Sequence, residues 1–295
     1  MTPTTATSRP PQLRRRGFKA RDGLILAGLA LALGGLAWRA LIDFSYDWQW
    51  SDMPRYLLYC DEAGWQPGVL LRGLGLTLKL AVWASAVAML AGLALALARL
   101  SRSLYLKLMA RTVVEVCRNI PPLVLVFIAF YFLSAALLPW DRLLAFVNQW
   151  PPALKSILEA STMRTGELNV FFPAVAALAL YEAAYFAEIF RGAILSVSRG
   201  QGEAAWCLGL SRWQSLRSVI LPQAFRKAVP QLAGQFISTV KESSIVSVLS
   251  LAELTYSGQQ LSTTTHRLFE VWLTVAALYF AFNFSLSLFF QRLER

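Results

Sequence analysis

The sequence lacks the parts on which metal binding, catalysis and solubility usually draw. A single histidine, His266, and three cysteines, Cys60, Cys117 and Cys207, lie far apart in 295 residues, with no CxxC pair. No metal-ligand cluster can be gathered from that set, so zinc and haem centres are excluded and free thiols are expected. No Gly-x-x-x-x-Gly-Lys-[Ser/Thr] run occurs, and even the dipeptide Gly-Lys is absent, so the chain has no P-loop. No serine or cysteine has an evident base beside it, which argues against an intramembrane enzyme. Charge is also scarce. Only 15% of residues are charged, against roughly a quarter in soluble domains.

What is abundant is apolar surface. Hydrophobic residues make up 56% of the chain and mean hydropathy is +0.49. Residues 80–98, 119–140 and 271–291 carry no charge at all over 19, 22 and 21 positions. Each is long enough to cross a hydrocarbon core, which takes about 20 apolar residues as a helix. The net charge of +11 is scattered between these runs, not gathered on one face, so a nucleic-acid surface is not expected.

The pattern predicts an all-α, polytopic helical bundle with six spans: 23–42, 74–98, 112–138, 171–195, 224–251 and 267–291. Glu182, Glu188 and Arg191 interrupt the fourth, and Lys241 and Glu242 sit inside the fifth. Loop charge sets the orientation. With the N-terminus inside, 18 of the 28 Lys and Arg residues fall on the cytoplasmic side, whereas 43–68 holds five acidic residues against Arg55 alone. The positive-inside rule therefore predicts both termini in the cytoplasm. Trp48, Trp50, Trp65, Trp140 and Trp150 suit the opposite interface. The first span resembles a signal peptide in outline, but Arg39 interrupts the cleavage region and five spans follow, so a retained anchor is expected.

Residues 200–222, GQGEAAWCLGLSRWQSLRSVILP, are too polar for lipid. Glu203, Ala204 and Ala205 favour a short helix, and Gly209 can end it in a left-handed turn. Ser211 followed by Gln214 predicts a capping box opening a second helix, with Pro222 and Pro230 beyond it. Two short helices at the cytoplasmic face are expected, placed to receive or transmit a push.

Glu203-Ala204-Ala205, three residues, Gly209, nine residues, Val219-x-Leu221-Pro222 resembles the coupling-loop signature of permease subunits of ATP-binding-cassette (ABC) importers. Arg118-Asn119-Ile120-Pro121-Pro122-Leu123, Ala184-Tyr185-x-x-Glu188-x-x-Arg191-Gly192 and Lys241-Glu242-Ser243-Ser244 are similar to segments of the polar amino acid permeases. That group includes histidine-, glutamine- and glutamate-type systems. The resemblance covers about 71–295. It implies a type I importer core of five helices in a bacterial inner membrane, with 200–222 docking on an ATPase. This chain adds a basic tail (1–22), an N-terminal helix (23–42), an extracytoplasmic segment (43–70) and an insert between the third and fourth spans (140–170).

Charges inside spans are costly and mark sites. Glu115 with Arg118 and Glu188 with Arg191 are spaced to pair along their own helices. Lys241 and Glu242 are adjacent, so they point about 100° apart and cannot satisfy one another. Thirteen uncharged residues precede them and ten follow. An amino acid zwitterion needs a cation for its carboxylate and an acceptor for its ammonium. Arg118 and Lys241 can supply the first, Glu242 or Glu188 the second. The candidate substrate set is therefore Arg118, Asn119, Pro121, Glu188, Lys241, Glu242, Ser243 and Ser244. The candidate ATPase-coupling set is Glu203, Ala204, Ala205, Gly209, Leu221 and Pro222.

The resemblance further implies a non-catalytic transport subunit that works by alternating access and binds no cofactor of its own, with ATP and magnesium held by a partner ATPase dimer. A second permease subunit, preferably different from this one, and an extracytoplasmic amino-acid-binding protein complete the expected assembly. The competing reading is a stand-alone secondary amino acid transporter, disfavoured by the lack of a visible internal repeat.

Overall fold

The computed structural model describes residues 20–43, 46–62, 64–134 and 140–293. Most of the basic tail and the end of the third expected span, 135–138, lie outside the described residues. The chain forms two compact units, Met1–Trp48 and Gln49–Arg295. The first contains one described helix, α1 (Ala20–Asp43).

In the second unit a short helix α2 (Met53–Leu57) leads into an antiparallel hairpin of β1 (Leu58–Asp61) and β2 (Gly64–Pro67), registered Leu58 to Pro67 and Cys60 to Trp65. The helices that follow are α3 (Val69–Arg99), α4 (Leu104–Asn119), α5 (Pro122–Ile128), α6 (Trp140–Val147), α7 (Pro152–Ser161) and α8 (Leu168–Leu195). Then come α9 (Arg199–Cys207), α10 (Arg212–Ser215), α11 (Leu221–Glu242), α12 (Leu254–Thr265) and α13 (Leu268–Leu293). The architecture is all-α apart from the hairpin. Three helices among the described residues, containing Val69–Arg99, Thr165–Leu195 and Leu268–Arg292, are long and apolar enough to cross a membrane.

Helices α3 and α8 form the centre, and small residues explain their closeness. Ala81, Ala84, Ala88, Gly92 and Ala96 recur every three or four positions on α3 and are buried, and Ala179, Ala183 and Ala187 do the same on α8. A Cβ on Gly92 would stand 2.6 Å from Phe186 Cβ and 2.9 Å from the Ala187 nitrogen. Side chains no larger than a methyl group let two backbones approach, which is how helices associate where lipid supplies no hydrophobic drive.

Two expected spans are not single straight helices. The third turns by 117° between α4 and the helix continuing to Phe132. Ile120 precedes a proline and is extended (φ −85°, ψ 137°), and Pro121 follows at ψ 134°, so the helix has to stop and restart at Pro122. The fifth leaves α-helical geometry after Glu242, tightens into a 3₁₀ segment over Ser243–Leu249 and ends at left-handed Ser250.

Buried polar contacts join the helix ends near the hairpin. Glu253 caps α12 by accepting from the Tyr256 nitrogen at 2.7 Å, and it also accepts from Thr77 and Tyr279 at 3.2 and 3.1 Å. Gln49 donates its backbone N–H to buried Glu270, and Arg267 pairs with Asp52. The insert is anchored through carbonyls at the end of α7. Lys79 donates to the carbonyls of Glu159 and Thr162, and the Trp83 indole to that of Ser161. Outside the membrane, Glu159 accepts from both the side chain and backbone of Thr165, which holds its carboxyl below the ordinary range.

Candidate functional site

The residues singled out from sequence fall into two places. The first is the polar region around the two helix breaks. Glu188, on α8, is its hub. Its carboxylate takes Arg99 at 2.5 Å from the end of α3, Arg191 at 2.8 Å from the next turn of α8, and Arg118 at 3.5 Å from the end of α4. Arg118 also lies over the Tyr185 ring, 5.7 Å from its centroid. The expected pairing of Arg118 with Glu115 is replaced, because Glu115 is exposed while Glu188 offers a more sheltered partner on the adjoining helix. Asn119 donates instead to the Glu115 carbonyl at 2.7 Å, covering one of the acceptors left open at the end of α4. Pro121 supplies the carbonyl that starts the next helix, accepting from Leu125 at 3.0 Å.

Lys241 and Glu242 end α11 where the helix changes character, and they diverge. Lys241 and Ser244 line a cavity of about 270 Å³ with Thr255, Trp272, Val275, Ala276 and Tyr279. Ser243 is buried and spends its hydroxyl on the Val240 carbonyl. Glu242 does not line that cavity, and its Oε2 is buried without a donor. The structure thus joins Arg118 to Glu188 and Lys241 to Ser244, and parts Glu242 from Lys241. Two larger cavities, of about 530 and 570 Å³, lie elsewhere, and the second is lined by apolar side chains only.

Arg99 and Glu182 were missed as site residues. Arg99 reads as a loop charge, since nothing local says which helix end it meets. Glu182 reads as one interruption of a span. A signal for it was present on α11, where Gln235, Thr239 and Glu242 recur at i, i+4 and i+7 and make a polar stripe that has to face something polar.

The second place is the segment after α8. Extended Ser198 precedes α9, which carries Glu203 and Ala204 exposed and Ala205 buried. Gly209 ends the helix at φ +77°, its N–H reaching the Trp206 carbonyl at 2.9 Å, while Leu210 reaches Ala205 at 3.0 Å. That is a Schellman closure, and it leaves few carbonyls open. Ser211 then accepts from the Gln214 N–H, while the Gln214 side chain accepts from that of Ser211. The second helix is not a separate piece. It runs through a π-helical turn, Leu216–Ile220, into α11, with Leu221 as its first residue and Pro222 within the first turn, where a missing N–H costs little. Gln223 ties back to Gln201, and Lys227 to the Ser196 carbonyl. Ala193, Val197, Ala224 and Ala228 form a small core beneath.

This segment leaves large apolar groups uncovered. Leu208 is 81% exposed, and Trp206 and Trp213 are more than half exposed, with Arg212 over the Trp206 ring. So polar a backbone frame around apolar projections is built for contact with another surface.

Comparison with known proteins gives this arrangement a context. The sequence profile of binding-protein-dependent transport system inner membrane components matches residues 70–295. The chain is 35% identical over 250 residues to the glutamate/aspartate import permease protein GltK of Escherichia coli O6:H1, covering 85% of this chain and 98% of that one. It is 35% identical over 231 residues to the octopine transport system permease protein OccM of Rhizobium radiobacter, covering 78% and 86%. Among solved structures, an amino acid ABC transporter crystallised with histidines aligns with a TM-score of 0.61 and 33% identity, over 77% of this chain and 93% of that one. The inward-facing methionine transporter MetNI shares the fold, with a TM-score of 0.53 at 18% identity.

Proposed function

The chain belongs to the family of binding-protein-dependent transport system inner membrane components, and on that footing we propose that it builds the pathway for a polar amino acid. It is a membrane-embedded permease subunit of an ABC amino acid importer, a family whose members work with an ATPase and a binding protein. The named substrates of its relatives, glutamate, aspartate and octopine, all combine a carboxylate with a basic nitrogen. That chemistry fits Lys241 beside the Ser244 hydroxyl in one cavity for the carboxylate, with Glu188 or Glu242, outside that cavity, as the acceptor for the nitrogen. Arg118, Asn119, Pro121 and Glu188 form the ionic and broken-backbone wall beside that route. Ser243 holds the turn between Lys241 and Ser244.

The exposed Leu208, Trp206 and Trp213, held on the closed α9–α10 frame, carry the coupling assignment. They offer an ATPase an apolar knob presented by Glu203, Ala204, Ala205 and Gly209, and Leu221 and Pro222 pass the load into α11. ATP and magnesium reside on that partner. Its closure drives outward opening, and hydrolysis returns the pathway to the inside. In this reading both termini face the cytoplasm, 43–70 and the insert face the binding protein, and the second permease is a different chain, since the N-terminal extension gives this one a distinct role.

Gentle solubilisation of the tagged chain from native membranes, followed by mass spectrometry of its companions, tests the assembly. The expected result is a P-loop ATPase in equal stoichiometry and one further permease. Recovery of the chain alone, moving amino acids in liposomes without ATP, would replace this reading by a secondary carrier.

A further inference from the structure

A cavity of about 530 Å³ lies beside the first half of α3, lined also by the end of the hairpin, the end of the insert and α12. It is remote from the coupling segment. Glu167, on its wall, precedes α8, and α9 begins only after that helix has run 28 residues, about 42 Å. The cavity shares no lining residue with the one that holds Lys241. Helix α12 contributes to both, giving Thr255 to that one and Ser257 to this.

Two cations line it, and neither meets a carboxylate among the described residues. Arg72 spends Nε on the Pro67 carbonyl and Nη2 on the Tyr59 hydroxyl, which leaves Nη1 without an acceptor. Lys79 donates to the neutral carbonyls of Glu159 and Thr162, while the Glu159 carboxylate is taken by Thr165. One N–H of its ammonium remains. Glu167 is exposed on the same cavity, and its carboxylate has no hydrogen bond or ion pair among the described residues. Seven positions separate Arg72 from Lys79, so both stems leave one face of α3, about 10.5 Å apart. Gly75 lies between them, and a Cβ there would meet nothing within 4 Å. The helix backbone is thus the bare floor of a slot with a cation at each end and a carboxylate on its wall.

A ligand with one anionic group answers only one of these cations. Two carboxylates on a short chain that also bears an ammonium answer all three charges. In an extended acidic amino acid the carboxyl carbons lie about 5 Å apart, and a hydrogen bond of about 2.8 Å at each end lets it span the two stems. We propose that this cavity is a binding site for acidic amino acids, with one carboxylate on Arg72, the other on Lys79 and the ammonium on Glu167. The ligand's single net negative charge then meets a single net positive charge on the three side chains. Its role as a stop before the Lys241 cavity rests on the transport reading above; the binding itself does not.

The test is equilibrium binding of labelled L-glutamate and L-glutamine to the assembled full-length transporter in phosphatidylcholine nanodiscs, without ATP or binding protein. Glutamine has the same length and lacks only the second carboxylate, so glutamate should bind about tenfold tighter. R72Q and K79M should each erase that preference. G75L puts a side chain into the empty floor and should lose the glutamate site. It keeps the ties of Arg72 to the hairpin and of Lys79 to the insert, so it decides the matter if either charge variant fails to assemble. Equal binding of the two ligands by the native protein, or native-like glutamate binding by G75L, overturns the site. Loss of glutamate binding when phosphatidylglycerol replaces part of the lipid would give the cations to a lipid phosphate and overturn it too. Uptake driven by ATP separates this site from the transport reading. Uptake of amino acids with no such binding sinks the site alone, whereas bound glutamate with no ATP-driven uptake of any amino acid sinks the transport reading alone.

Discussion

Alanine in place of Gly209 separates backbone geometry from packing. Gly209 sits at φ +77°, and a Cβ built there meets nothing within 4 Å. The substitution therefore adds no clash and removes no contact; it only asks an L-residue to hold the left-handed region. That costs about 1 kcal/mol for alanine and about 2 kcal/mol for a β-branched residue. An undocked loop can relax the strain by opening the turn that closes Gly209 on Trp206 and Leu210 on Ala205. Docking then has to restore it. The affinity for the ATPase should fall about fivefold in G209A and about thirtyfold in G209V. Titration of the ATPase subunit onto the permease in nanodiscs measures this directly. G202A is the matched control, since Gly202 lies within α9, has ordinary φ and no neighbour within 4 Å, so alanine there should leave binding equal or tighter. An unchanged affinity in G209V would refute the claim that this closure presents the docking residues.

Three further outcomes are expected. Gly92→Val forces a side chain against Phe186 and the Ala187 backbone and should cost about 1–3 kcal/mol, read as a lower unfolding temperature in detergent; no change would mean that α3 and α8 are not in close contact. Glu188→Ala strands Arg99, whose side chain is only 12% exposed, and should destabilise by about 1–2 kcal/mol, less than a fully buried pair because Glu188 and Arg191 keep some solvent. Glutamate-to-glutamine at that position should recover part of the loss, and equal melting of all three proteins would deny the hub. Lys241→Ala should depress amino acid uptake without loss of assembly, and normal ligand-dependent transport would take Lys241 out of the site.

Local chemistry was readable from the sequence and long-range pairing was not. The capping box of Ser211 and Gln214 and the left-handed Gly209 depend on residues three or four apart, so their letters suffice. Pro121 and Pro122 announced a disturbance, but the 117° turn is set by what α5 packs against. The hairpin escaped because its strands are four residues each, inside an acidic segment with little alternation. Arg99 and Glu188 are 89 positions apart, and Glu182 and Gln235 are 53 apart. Charge counting reads the first of these as topology, and hydropathy reads Glu182 as noise.

The continuity of α10 through its π-helical turn into α11 has a mechanical consequence. A 22-residue helix is about 33 Å long, so tilting its α10 end by ~10° swings the far end through about 6 Å. Pro230 removes one rung on the way, yet the helix runs on unbroken to Glu242. The far end holds Lys241, which lines the cavity, and Glu242, whose Oε2 is buried. A small rotation imposed at Trp213 thus becomes, at that depth, a displacement as long as a side chain.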